Sequence, residues 1–343
     1  MNKEILREDI AAFASSFPLY DSLRNKSFLI TGATGLIGSV LVKCLVALNR
    51  QYHLDIHILA VVRNIKKAEQ MFSEEWSEID VRQLELSEIN KETIGPNIDY
   101  IIHLASPTAS KYFVERPVET LQTIFEGTRS VLDHAKQTGV RGLVYVSSLE
   151  SYGINGNDEW VSEEYQGYMN PLEVRSAYSL GKRAAECLCK SYAEEYQLPV
   201  MIARLTQTLG AGINEDEQRV FAQFARHAIN ENDIELHTEG RSAKPYCYTT
   251  DAVSAFLYLL IKGKAGEAYN VANKDSYISI RDMAELVKKH FCPEIEVKIV
   301  KKDNQGYAPE TKLRLDTHKI ETLGWHPQYH LVDMFSRLIA YLR

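Results

Sequence analysis

Tyr178 and Lys182 close the run Tyr178-Ser179-Leu180-Gly181-Lys182. On a helix, residues four apart share a face, so the Lys182 ammonium can sit beside the Tyr178 phenol. A neighbouring cation favours phenolate, and the expectation is a tyrosine whose pKa is drawn down toward working pH. Far upstream stands a glycine run, Thr31-Gly32-Ala33-Thr34-Gly35-Leu36-Ile37-Gly38. It follows the apolar stretch Ser27–Ile30 and opens an apolar helix, Leu36 to Leu48. A glycine turn between a strand and a helix suits a dinucleotide pyrophosphate resting on the helix N-terminus. Together the two motifs spell hydride transfer coupled to proton transfer on an alcohol or ketone.

Each motif has a plainer alternative. A tyrosine four residues before a lysine also occurs on solvated helix faces, and three glycines can simply make a tight turn. Finding both, in this order, favours the chemical reading.

The elements that must position these groups follow from hydrophobic patterning. Residues 1–26 form an amphipathic lead-in, with a helix around Lys3–Ser15 that Pro18 ends. Buried-strand runs follow at Ile56–Val62, Tyr100–Leu104, Gly142–Ser147 and Val200–Leu205. Helical stretches lie between them at 36–48, 64–75, 117–138 and 176–196. That alternation predicts an α/β fold, a parallel sheet doubly wound by helices, with ligands at the strand C-termini. Residues 154–175 break the rhythm and read as a polar loop over the site. Short mixed elements after 206 predict a smaller C-terminal α/β substrate domain. The expected division is 1–206 plus about 246–272 for the dinucleotide domain, and 207–245 with 274–343 for the substrate domain.

At 343 residues the chain can bury a full core, and its 45% apolar and 25% charged content is that of a globular protein. A net charge of -7 argues against a nucleic-acid surface. No apolar run is long enough to cross a bilayer, and the start MNKEILREDI has no signal-peptide core. Five scattered cysteines, none in a zinc-like spacing with histidine, fit reduced thiols and no metal site. The expectation is a cytoplasmic protein without membrane insertion.

The chain resembles the extended short-chain dehydrogenase/reductases, the NAD-dependent epimerases and dehydratases that modify nucleotide-activated sugars. The resemblance runs through TGATGLIG at 31–38, HLASP at 103–107, YVSSLESYG at 145–153, YSLGK at 178–182 and RLTQTLG at 204–210. It continues in YCYTTDA at 246–252, GEAYNVAN at 266–273 and LDTHKIETLGW at 315–325. The first four motifs are shared widely in the family, and the later ones point to its sugar-nucleotide branch. The resemblance implies a Rossmann-type fold, an NAD(P) cofactor and a nucleotide-sugar substrate. It also implies a homodimer, through helices at 117–138 and 176–196, whose Ala184, Leu188 and Tyr192 recur at helical spacing.

For the cofactor, Gly32 allows the tight turn, Gly35 lets backbone approach phosphate, and Gly38 lets helix pack on strand. Thr34, Leu36 and Ile37 complete that turn. Leu104, Ala105 and Ser106 line the cofactor by resemblance, while His103 is either part of that lining or a packed structural residue. At the end of the second strand stand Arg63 and Asn64, with Lys66 and Lys67 behind and no acid. An arginine there pairs with the extra phosphate of NADP, so NADP is favoured over NAD. The alternative is a solvated basic start to the next helix.

By the same resemblance Ser148 joins Tyr178 and Lys182 as the third catalytic residue, and Lys182 also holds the nicotinamide ribose. The family triplet reads Thr-Asp-Glu or Thr-Ser-Glu, whose glutamate is the acid/base near carbon 5 of the sugar. Here it is Ser148-Leu149-Glu150. Glu150 is kept, as that acid/base or as an exposed loop carboxylate, while Leu149 cannot move a proton. On the substrate side Ser106-Pro107-Thr108 resembles the sugar loop of UDP-glucuronate decarboxylases. Gln207 stands where the family has a diphosphate-binding asparagine, and Lys244 where it has an arginine on the β-phosphate. Arg175 and Arg241 can add charge or lie on the surface. Tyr246, Tyr248 and Tyr269 can stack on a base or pack in the core, and the base stays open among UDP, dTDP, GDP and CDP. Three readings follow. The first is oxidation at carbon 4 with elimination, decarboxylation or epimerisation. The second is an NADPH-dependent reductase of a keto-sugar or keto-polyol. The third is a catalytically silent dinucleotide-binding regulator.

Overall fold

The computed structural model describes residues 1–155, 157–301 and 310–343. Position 156 of the expected loop and positions 302–309 of the expected substrate domain lie outside the described residues. Seven strands form the central sheet: β1 (Ser27–Thr31), β2 (His57–Val62), β3 (Asp80–Gln83), β4 (Tyr100–His103), β5 (Gly142–Ser148), β6 (Val200–Leu205) and β7 (Ala268–Val271). Their spatial order is β3-β2-β1-β4-β5-β6-β7, and every neighbouring pair is parallel. Strand order reverses between β1 and β4, which places the switch-point crevice at their C-terminal ends.

The strand side chains alternate, and both faces are covered. Phe28, Ile30, Val144, Val146 and Ala203 pack against α1 (Lys3–Ser16), α2 (Leu36–Tyr52) and the later helix Thr249–Lys262. Leu29, Leu143, Tyr145 and Ile202 face the other way, onto α4 (Pro117–Thr138) and α5 (Ser176–Tyr196). The short α3 (Ile65–Met71) follows β2 and is N-capped by Asn64, whose side chain accepts from the Lys67 amide at 3.0 Å. Pro117 opens α4 at a position where a missing N–H costs nothing, and Gly139 ends it at φ +67°.

A second apolar cluster gathers Leu209, Phe221, Tyr246, Met283, Met334 and Phe335. Its sheet pairs Ala243–Tyr248 parallel with Gln207–Leu209 and antiparallel with Asn273–Ser279. Within 246–272, Ala268–Val271 joins the main sheet beside β6, whereas Tyr246–Tyr248 pairs with Gln207–Leu209 in the smaller sheet. The tyrosines expected either on a base or in the core are all buried: Tyr246, Tyr248 and Tyr269. No described helix is long and apolar enough to cross a membrane.

Candidate active site

The crevice begins at the turn after β1. Gly32 takes φ +69°, and a Cβ there would lie 2.8 Å from the Ala105 backbone nitrogen. Turn and β4 loop thus touch backbone to backbone. A Cβ on Gly38 would meet the Gly32 carbonyl oxygen at 2.3 Å, so this helix turn seats directly on the glycine turn. Gly35 is different: its φ of -78° is open to any residue. Its contribution is space, because it starts α2 as an exposed N-cap without a side chain on the first amides. Those orphan N–H groups at the positive end of the helix dipole fit a pyrophosphate. Thr34, Leu36 and Ile37 border this opening, half-buried.

His103 is the packed structural residue of the two alternatives. Thr31 Oγ1 lies 2.6 Å from its Nδ1, and its Nε2 lies 3.2 Å from Thr128 Oγ1. Burial pulls its pKa down to about 3, so the ring is neutral. Thr31 Oγ1 also accepts from the Ala105 amide at 3.3 Å, which fixes the loop of Leu104, Ala105 and Ser106 beside the glycine turn. Arg63 ends β2 in solvent, with no ion-pair partner among the described residues.

Ser148, Glu150, Tyr178 and Lys182 converge where β5 meets α5. Ser148 ends the strand and caps the short 3-10 turn Leu149–Tyr152, accepting from the Glu150 amide at 3.2 Å. Its hydroxyl is close enough to the Tyr178 phenol to favour the ionised form. Tyr178 stacks on Phe113 at 4.1 Å. Lys182 is buried, donates to the Val146 carbonyl at 2.9 Å, and lies 5.9 Å from the centre of the Tyr178 ring.

The electrostatics differ from the expectation drawn from spacing. Burial, and then the Glu150 charge, push the Tyr178 phenol above its ordinary pKa, outweighing the nearby Ser148 hydroxyl and the charges of Arg175 and Arg219. Lys182 is pulled down to about 8 by burial, opposed by Glu186. Spacing alone finds the neighbour but not the desolvation of both groups.

Glu150 is paired with Arg175 at 2.9 Å, which ties Arg175 to this carboxylate. Leu149 turns away from both and is 8% exposed, in a cluster with Val161, Leu313 and Leu315. Lys244 lies close enough to Glu150, Arg219 and Arg175 to feel their charges, and burial lowers its pKa. Gln207 carries a buried Oε1 with no hydrogen-bond partner. Arg219 is a cation that sequence reasoning missed. Its charge reaches both Tyr178 and Lys244 from the segment before the helix Val220–Ile229, with no motif to announce it.

Two further expected substrate residues are exposed. Thr108 is exposed on the loop after β4. Arg241 is exposed in a separate cavity of about 530 Å³ shared with Arg281, Lys312 and Arg314.

A wholly parallel sheet with an open glycine turn at its switch point, and a serine, tyrosine and lysine gathered at the next strand end, defines a dinucleotide-dependent enzyme of the short-chain dehydrogenase/reductase type. A sequence model of the NAD-dependent epimerase/dehydratase family matches residues 28–272, and the chain belongs to that family. UDP-glucuronic acid decarboxylase 6 of Arabidopsis thaliana is 30% identical, over 92% of this chain and 90% of the relative. UDP-glucuronic acid decarboxylase 1 of Xenopus tropicalis is 30% identical, over 98% of this chain and 79% of that protein. Among solved structures, the UDP-glucose 4-epimerase of Thermotoga maritima superposes with a TM-score of 0.78 at 19% identity, covering 92% of this chain and 98% of that one.

Proposed function

We propose that this enzyme oxidises carbon 4 of a nucleotide-activated uronic acid and releases the carbon-6 carboxylate as carbon dioxide. The burial of Leu149 carries the choice among reactions open to a 4-keto sugar. Expelling a carbon-6 hydroxyl needs a proton for the leaving group, and the position beside Glu150 offers none. Decarboxylation needs no such acid. A carbon-4 ketone makes the carboxylate a β-keto acid, so the C5–C6 electron pair can pass into the carbonyl and leave an enolate. The names of the two relatives support a uronic acid as the substrate class.

The glycine turn of Gly32, Gly35 and Gly38 would hold NAD, which would supply a reversible hydride acceptor for carbon 4. Tyr178 takes the proton of the 4-hydroxyl as a phenolate, with Ser148 hydrogen-bonded to the same substrate oxygen. Burial opposes that ionisation in the free site, and the Lys182 ammonium and the positive charge of a bound NAD would favour it. Ser148 and Tyr178 then hold the enolate oxygen, where charge develops. Glu150 is the acid/base on the carbon-5 side, held by Arg175. Lys244 grips phosphate as a point charge, and the unpartnered Gln207 Oε1 receives a substrate hydroxyl. The test is incubation with UDP-glucuronate and a trace of NAD. Carbon dioxide released in excess over cofactor supports the reading, and no release from any nucleotide uronic acid refutes it.

Arg63 favours a second reading, an NADPH-dependent reductase, because an exposed arginine following β2, with no ion-pair partner among the described residues, can pair with the extra phosphate of NADP. Stoichiometric NADPH consumption on a keto-sugar without carbon dioxide would establish it.

Two copies of the chain are further proposed to meet through α4. Val118, Leu121 and Phe125 are exposed at helical spacing on its outer face. On α5, Ala184 is exposed, whereas Leu188 and Tyr192 pack inward on the cluster beneath, and Tyr192 donates to Asp133 at 2.5 Å.

A further inference from the structure

Glu186 lies one helical turn beyond Lys182 on α5, so Tyr178, Lys182 and Glu186 mark one face. It is 6% exposed. Arg204, on β6, donates to it through Nε at 3.2 and 3.1 Å and through Nη2 at 2.7 Å. Ser147 Oγ donates to the same carboxylate at 2.5 Å. Both partners are themselves tied down. Arg204 Nη1 donates to the Glu163 carbonyl at 2.8 Å, and its guanidinium lies 4.6 Å from the centre of the Tyr152 ring. Ser147 follows Val146, whose carbonyl accepts from Lys182. Helix and strand are therefore fastened at two successive strand residues, Val146 and Ser147. A buried ion pair pays a desolvation cost that well-packed apolar residues would avoid, so stability alone does not account for this one.

We propose that Glu186 is the positioning residue of the proton-transfer pair: its charge, fixed by Arg204 and Ser147, keeps Lys182 an ammonium and holds it in register with Tyr178. The inference rests on Tyr178 and Lys182 carrying the proton transfer. The groups facing Lys182 leave Glu186 as the counter-charge. From β5 comes the Tyr145 ring, 5.0 Å away, and from β4 comes His103, which is neutral. From α5 come the Tyr178 phenol and the Cys189 thiol, both pushed up by burial and so uncharged, and Glu186 itself. From β6, Arg204 offsets part of the Glu186 charge. Burial draws Lys182 down to about 8, and Glu186 leads the groups that resist it.

Two readouts against pH test this: NAD affinity by calorimetry and steady-state turnover. Glu186→Gln keeps the shape and removes the charge. The pH above which NAD affinity and kcat fall should move down by about one unit, with near-normal values restored at lower pH. Arg204→Gln leaves the carboxylate less compensated and should move the same midpoint up. Glu186→Asp, which keeps the charge, should stay near the wild-type midpoint and gives a control if Arg204→Gln does not fold. Unmoved midpoints, or losses by one constant factor at every pH, would overturn the proposal. Failure of the underlying reading shows separately, as normal turnover in Tyr178→Phe.

Discussion

Glu150 and Arg175 form an ion pair at 2.9 Å that joins the turn after β5 to the residue preceding α5. A cation at a helix N-terminus opposes the helix dipole, so the carboxylate compensates Arg175 as well as facing the site. Glu150→Gln should still allow oxidation at carbon 4 but fail to move the carbon-5 proton, because an amide cannot replace the carboxylate and Leu149 offers nothing. Stopped-flow absorbance should then show reduced nicotinamide accumulating in the variant and not in the wild type. Rapid, complete turnover without it would remove Glu150 from the chemistry.

Tyr178→Phe should retain fold and NAD binding, since the variant loses only the phenol oxygen and its ring keeps the stack on Phe113. Turnover should drop at least about 100-fold, the scale of lost general acid–base catalysis. Circular dichroism and NAD titration check the first claim, and steady-state rates the second.

Asp251 predicts a pH dependence of stability away from the site. It is buried at the start of the helix Thr249–Lys262 and accepts the backbone amides of Gln328 at 3.0 Å and Tyr329 at 3.2 Å. Burial pushes its carboxyl up to about 7. The folded chain therefore holds this proton where the unfolded chain, with a pKa of about 3.9, has lost it. Its contribution to stability should decline as pH rises from about 4 and level off above about 7. Urea midpoints should fall between these limits, and Asp251→Asn should flatten that fall. Parallel curves for the two proteins would contradict the assignment.

Phe125→Glu, on the exposed stripe of α4, should convert a dimer to a monomer in light scattering at micromolar concentration. A monomeric wild type would refute the interface directly.

How much of this was legible depends on the distance over which each contact acts. The bounds 117–138 and 176–196 match the helices because their apolar spacing and end signals are local. The strand Asp80–Gln83 escaped notice because it is a sheet edge of exposed and half-exposed residues, with no buried run to betray it. The glycine turn and the Tyr178/Lys182 pair were readable from spacing. The fork of Glu186, Arg204 and Ser147 was not, since it joins three elements and each residue looks ordinary in its own segment. The direction of the Tyr178 shift was misjudged for the same reason, because burial is a tertiary property.

The proposed reaction passes through a 4-keto intermediate that loses its carboxylate and takes a proton at carbon 5. Turnover of a nucleotide uronic acid in heavy water, read by NMR of the product, tests it most directly. The prediction is a pentose nucleotide with one deuterium at carbon 5 and none at carbon 4, because the hydride leaves and returns without meeting solvent. A product that keeps its carboxylate, or one with no deuterium at carbon 5, would contradict the account.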